Sequence, residues 1–218
     1  MQDMRFPNRI LLLMGIFFSC VELFAQKTPS KMFCKLSGPE KIWVVFHPFI
    51  AKKTWKITEQ ARMETKSLLL DPRLDGDEDG GQLDAFRHAF CMASLSQNIC
   101  WRKALKLGIA HEKGNYRKFK KYLLEDNSLA DSMATVMDLF NNAFGIELSR
   151  NKPNFASDSL RETLILSILK GDLRIIWKNE DGNSLNCEGD LLKDNKEQII
   201  WKSDRCLVPS DRKRKPTD

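Results

Sequence analysis

The chain has 218 residues, of which 42% are hydrophobic and 29% charged, and its formal net charge is +6. This length and composition allow one domain with a hydrophobic core. No interleaved pattern of basic and aromatic residues is present, which argues against nucleic acid as a partner. None of the six cysteines forms a Cys-x-x-Cys pair, which argues against a zinc ribbon.

Residues 1–25 are predicted to form a cleavable export signal. Two arginines precede a short apolar run, residues 10–18, which is too brief to span a membrane. Ala25 offers a cleavage point and would release a secreted or periplasmic protein. The alternative is acylation at Cys20, which would leave the protein anchored to lipid.

Apolar periodicity predicts a mainly α fold over residues 26–170. Helices are expected at 40–46, 58–70, 82–99, 101–111, 113–124, 129–144 and 157–170. Pro48 should break or bend the first of these helices, and Gly145 and Gly171 should end the last two. Cys91 and Cys100 are expected to be small core residues, and His47 a packed residue.

A small β extension is predicted over residues 171–209, as a hairpin or a three-stranded sheet. Its strand-like runs are 173–178 and 198–202, and a strong turn signal covers 179–183. Cys187 and Cys206 flank this region and are the best candidates for a disulfide in an oxidising compartment. The basic tail, 210–218, is expected to be disordered.

Polar side chains are embedded in three of the predicted apolar helices. They are Asp84, Arg87 and His88 in the first, His111 and Glu112 in the second, and Asp138, Asn141 and Asn142 in the third. Burying such groups is costly unless each finds a partner. They are therefore expected to converge on one another or on a ligand.

Three interpretations of this cluster are open. In the first, His88, His111 and Asp138 bind one divalent, zinc-like ion, with Asp84 or Glu112 as a further ligand or base, and activate water for hydrolysis. In the second, a His–carboxylate pair provides acid and base without a metal. In the third, the cluster is a buried structural network of a non-catalytic envelope protein. In a hydrolase, Arg87, Asn141 and Asn142 would orient these groups or hold substrate.

The motifs Asp-Ala-Phe-Arg-His-Ala (84–89), Ala-His-Glu-Lys-Gly-Asn (110–115) and Met-Asp-Leu-Phe-Asn-Asn-x-x-Gly (137–145) together resemble an uncharacterised bacterial domain family. Members of that family look like secreted proteins, and some resemble C-terminal modules of toxin-like polyproteins. The resemblance covers about 80–146 and implies an extracytoplasmic helical domain that could be a hydrolase. Cys91 stands where the family pattern leads us to expect Trp or Tyr.

The acidic turn at Asp75, Asp77 and Asp79, followed by Gly80, is similar to the opening of a calcium loop. Phe86 occupies the position where an EF-hand needs a bidentate Glu, so a standard EF-hand is excluded. Calcium at these aspartates is the less favoured hypothesis. A solvated turn that caps the next helix is the favoured one.

Positive charge is concentrated between Lys113 and Lys121 and in the tail. Such a surface could bind an anionic substrate, an anionic envelope component or lipid. The alternative is a solvated helix face with no dedicated partner.

Overall fold

A computed structural model describes residues 30–121, 131–192 and 201–217. The chain divides into two compact units, Met1–Leu36 and Ser37–Asp218. In the first unit the structure describes helix α1, Ser30–Lys35. The predicted export signal, with Ala25 and Cys20, lies outside the described residues. Among the residues that are described, no helix has the length and apolarity needed to cross a bilayer.

The second unit is mainly helical, as predicted, and carries a small antiparallel sheet. Its elements are α2 (Gly38–Phe46), α3 (Pro48–Ser67), α4 (Gln82–Asn98), α5 (Trp101–Lys120), α6 (Ser132–Asn151), α7 (Ser157–Leu169), β1 (Arg174–Ile176) and β2 (Leu207–Pro209).

Helix α4 is the centre of the second unit. It packs against α3, α5, α6, α7 and β1. Its apolar residues Leu83, Phe86 and Ala89 are fully buried, and they join Leu164 and Ile168 of α7 in one hydrophobic core. Polar groups on the inner side of this helix, such as Asp84 and His88, are therefore removed from water.

Several helix boundaries differ from the predictions. The helix expected at 58–70 spans Pro48–Ser67, because proline is tolerated in the first turn of a helix. Residues 101–111 and 113–124 were expected to form two helices, but α5 is continuous from Trp101 to Lys120 because no residue between them breaks a helix. Gly145 does not end α6, which continues to Asn151. The cap of α6 is Asp131, whose carboxylate accepts hydrogen bonds from the amides of Met133 and Ala134.

Gly145 instead allows α4 and α6 to approach closely. A Cβ atom at this position would lie 2.8 Å from the carbonyl carbon of Ala89 on α4. This is closer than real Cβ contacts, and the neighbour is backbone, which cannot move aside cheaply. The signal interpreted as a helix end thus marks a helix–helix contact.

Strand β1 pairs with β2 in antiparallel register, with Ile175 opposite Val208. Of the predicted strand at 198–202, only residues 201 and 202 are described, and they form a bend; 193–200 lie outside the described residues. The structure joins Cys187 and Cys206 in the predicted disulfide. Cys91 is partly buried, but Cys100 is exposed just before α5, so its assignment to the core is wrong.

The prediction of a disordered tail is wrong for residues 210–217. Ser210 is buried, and its hydroxyl donates to the Ile168 carbonyl. Arg214 donates to the Asp77 carboxylate at 3.0 Å. Lys215 pairs with Asn179 in an isolated bridge. The tail has a defined place because Arg214 binds the acidic turn, Lys215 donates to the Gly189 carbonyl and Arg212 lies over the Trp177 ring.

Gly145→Ala tests the close contact between α4 and α6. We expect a loss of about 1–3 kcal/mol in the free energy of unfolding, measured by urea denaturation, because the added methyl group overpacks a rigid interface. Ala143→Ser, on the exposed side of the same helix, is the control and should change stability by less than about 0.5 kcal/mol. Equal effects of the two substitutions would contradict this role of Gly145.

Candidate functional site

Three of the predicted site residues converge where α4 meets α6. Asp84 and His88 lie one turn apart on α4, and Asp138 projects from α6. The Nε2 atom of His88 lies 3.4 Å from Asp84 Oδ1 and 3.3 Å from Asp138 Oδ1. One ligand-type atom from each residue falls within 4.8 Å of the others, and all three residues are buried.

Asp84 is held by two donors. The Gly80 amide donates to Oδ2 at 2.8 Å, and Arg87 Nη2 donates to Oδ1 at 2.6 Å. Burial alone would raise the pKa of Asp84, but contacts with His88, the charge of Arg87 and the Gly80 amide outweigh it and lower the pKa to about 2. Asp84 is therefore ionised at neutral pH.

His88 is oriented from its other ring nitrogen. Its Nδ1 lies 3.3 Å from Asn142 Oδ1, which can only accept a hydrogen bond, so Nδ1 carries a proton. Burial disfavours the imidazolium, but the charges of Asp138 and Asp84 outweigh it and raise the pKa of His88 to about 9. A positive charge beside Nε2 is thus stabilised, and a proton or a metal ion can supply it.

Asp138 is the least satisfied member of the cluster. Its Oδ1 atom is buried and accepts no hydrogen bond within the described chain, although it faces His88 Nε2. Burial raises the pKa of Asp138 to about 8, and the negative charges of Asp84 and Glu112 add to this effect. Burying such an oxygen lowers the stability of the fold unless a cation lies next to it.

Helix α5 contributes Glu112 rather than His111. Glu112 is buried, and its carboxylate accepts from the Asn115 amide at 3.2 Å. His111 lies on another side of α5, where Nδ1 is 3.0 Å from Glu40 Oε1. Adjacent residues on a helix point about 100° apart, and here the side chains of His111 and Glu112 have different partners. The structure does not bring His111 together with His88 and Asp138.

The two asparagines have different positions. Asn142 contacts His88 and packs next to Gly108 of α5, where an added Cβ would lie 3.2 Å from its side-chain nitrogen. Asn141 forms a pair of hydrogen bonds with the backbone of Arg174, at 2.9 and 3.0 Å, and is fully buried. It fixes β1 against α6, and the structure gives it this structural role.

The acidic turn does not form a calcium site. Lys178 and Arg214 both bind the Asp77 carboxylate, and the Asp75 carboxylate accepts from the Gln82 amide. Within the described residues, the Asp84–His88–Asp138 cluster is the one group with converging ligand atoms. The turn is better explained as the cap of α4 and as the anchor of the C-terminal residues.

Sequence reasoning missed two elements of the site. The Gly80 amide is invisible in residue patterns because it is a backbone group. Glu40 was not singled out, although the Ser37-x-x-Glu40 spacing is that of a capping box. His47 packs against Trp43 with ring centroids 4.6 Å apart, in agreement with its predicted structural role.

Comparison with known proteins gives one match. The profile of the domain of unknown function DUF6973 matches residues 41–172, more than half of the chain. This range contains the three helices that form the cluster. No curated protein and no solved structure matches the chain.

Glu40 provides a test of the position of His111. Its carboxylate accepts from the Ser37 amide at 2.7 Å and contacts His111. Burial would raise its pKa, but the contacts with His111 and Ser37 outweigh it and lower the pKa from 4.5 to about 2. The resulting stabilisation is fully present above pH 4.5 and is lost as the pH falls towards 2.

Glu40→Gln should therefore lower the free energy of unfolding by about 2–3 kcal/mol at pH 7, and by much less at pH 2.5. Urea denaturation at both pH values measures the difference. Glu59→Gln, which alters an exposed pair with Arg62, is the control and should cost less than about 1 kcal/mol. A Glu40→Gln effect that does not vary with pH would contradict the assignment.

Proposed function

The chain belongs to the DUF6973 family, and we propose that it is a metal-dependent hydrolase. Asp84, His88 and Asp138 would hold one divalent ion between α4 and α6. The observation that carries the proposal is that one ligand-type atom from each of these three buried side chains lies within 4.8 Å of the others.

The distances within the cluster support an ion. His88 Nε2 lies 3.3 and 3.4 Å from the two carboxylate oxygens, whereas a charge-assisted N–H···O bond is about 2.7–2.9 Å long. Ligands of a tetrahedral ion, each bound at about 2.0–2.2 Å, lie about 3.3–3.5 Å apart. The observed separations match the second geometry.

The charges of the cluster point the same way. Two carboxylates and the Arg87 guanidinium surround Nε2 of His88, and Asp138 Oδ1 accepts no hydrogen bond from the described residues. A divalent ion would balance both carboxylates and satisfy that oxygen. The contact between His88 Nδ1 and Asn142 Oδ1 is the outer hydrogen bond that orients most metal-binding histidines.

Protein groups next to the ion would complete the chemistry. Three protein ligands leave a position for water, which a bound zinc-like ion converts into a nucleophile near neutral pH. Glu112, whose charge acts on Asp138, is the candidate general base. Arg87 has a side chain that is 35% exposed at the edge of the cluster and is placed to hold an anionic part of the substrate.

The alternative function is a non-catalytic one, in which the cluster ties helices together. The observation that favours it is burial, since the side chains of Asp84, His88 and Asp138 are each at most 12% exposed. Substitutions in a structural network would lower the stability of the protein, and metal would not alter that effect.

Metal analysis of the purified full chain distinguishes the two functions. After dialysis against zinc or manganese, we expect about one ion per chain by mass spectrometry. Asp138→Asn should weaken binding by about 10-fold or more, because it removes the charge of a ligand. His111→Ala is the matched control: it removes a histidine from the neighbouring helix and should leave the stoichiometry unchanged.

A chain that binds no ion, or an Asp138→Asn variant that binds as tightly as the parent, would refute the metal site. If the chain binds one ion but shows no chelator-sensitive hydrolysis of ester or phosphoester substrates, the metal site is supported and the hydrolase is refuted.

A further inference from the structure

The corner where α2 meets α3 exposes large apolar side chains. Phe46 is 76% exposed and Phe49 is 98% exposed, and Ile42 and Val45 of α2 are also exposed. These four residues are called the apolar tip. Pro48 separates the two helices, so the end of one and the start of the other reach solvent together. Neighbouring exposed apolar residues mark interaction sites more often than single ones do.

The charges around the apolar tip have one sign. Residues 41–56 contain four lysines and neither aspartate nor glutamate. Lys52, Lys53 and Lys56 follow Phe49 by three, four and seven residues, which places them on the same side of α3, and all three are exposed. Apolar side chains bordered by lysines are typical of helices that lie in a membrane interface.

We propose that the apolar tip docks on the surface of an anionic phospholipid bilayer. Phe46 and Phe49 would enter the boundary between headgroups and acyl chains, and the lysines would pair with lipid phosphates. A bilayer is favoured over a protein partner because the charged residues of 41–56 are all lysines, which match a uniformly negative surface. Anionic lipid is among the partners expected from the basic composition, and the inference is independent of the proposed hydrolase.

Vesicle flotation with the full chain tests this docking. Binding is compared between vesicles of phosphatidylglycerol with phosphatidylcholine and vesicles of phosphatidylcholine alone. The double substitution F46S/F49S should weaken binding to the anionic vesicles by roughly tenfold or more. It removes both phenyl groups that would be buried in the bilayer. The matched control M63S/L70S removes two apolar residues that are 64% and 92% exposed outside the tip, and it should bind like the parent. Every variant keeps the same N-terminal segment, so binding due to that segment is common to all.

A second variant keeps the test decisive if F46S/F49S fails to fold, as judged by circular dichroism. K52E/K56E changes two exposed side chains and should abolish the preference for anionic vesicles. The proposal is overturned if F46S/F49S binds as the parent does, or if K52E/K56E keeps the preference. It is also overturned if the tip substitutions change only the oligomeric state in size-exclusion chromatography, because the tip would then be an interface between chains.

Discussion

The rest of the site depends on the burial of charged groups on the most enclosed helix of the protein. Helix α4 is surrounded by four helices and a strand, yet it carries Asp84 and His88 on its inner side. Removing such groups from water costs several kcal/mol each unless partners compensate. Asp138 and Asn142 of α6 supply those partners, and Gly145, two turns along from Asp138, lets the two helices come close enough.

The C-terminal residues support the same cluster from the other side. The Gly80 amide that binds Asp84 is held in place because the Gly80 carbonyl accepts from Ile176 of β1. Gly80 has a φ of +83°, at which a residue with a side chain would be strained, and an added Cβ would lie 3.0 Å from the Ile176 side chain. The Cys187–Cys206 disulfide and the bond from Arg214 to Asp77 fix the residues that surround this turn. The extension is thus a structural support of the site rather than an appendix.

Sequence reasoning was most successful where a local pattern decides the outcome. The helical fold, the disulfide and the meeting of Asp84, His88 and Asp138 all follow from periodicity, cysteine placement and the cost of burial. It failed where the outcome depends on contacts distant in sequence. Which of His111 and Glu112 faces α4 depends on the rotation of α5, and the partner of β1 depends on how a 30-residue connection folds back. The sequence could not distinguish a helix end at Gly145 from a close helix contact, because the neighbour that decides it, Ala89 of α4, is distant in sequence.

The central claim is that His88 and the two aspartates are ligands of one ion rather than partners in a buried hydrogen-bond network. Visible absorption of the cobalt(II)-loaded chain tests it most directly, because cobalt replaces zinc-like ions and its spectrum reports coordination geometry. The account predicts intense bands of a four- or five-coordinate site that saturate at one ion per chain and disappear in Asp84→Asn. A spectrum indistinguishable from that of hydrated cobalt would contradict the account.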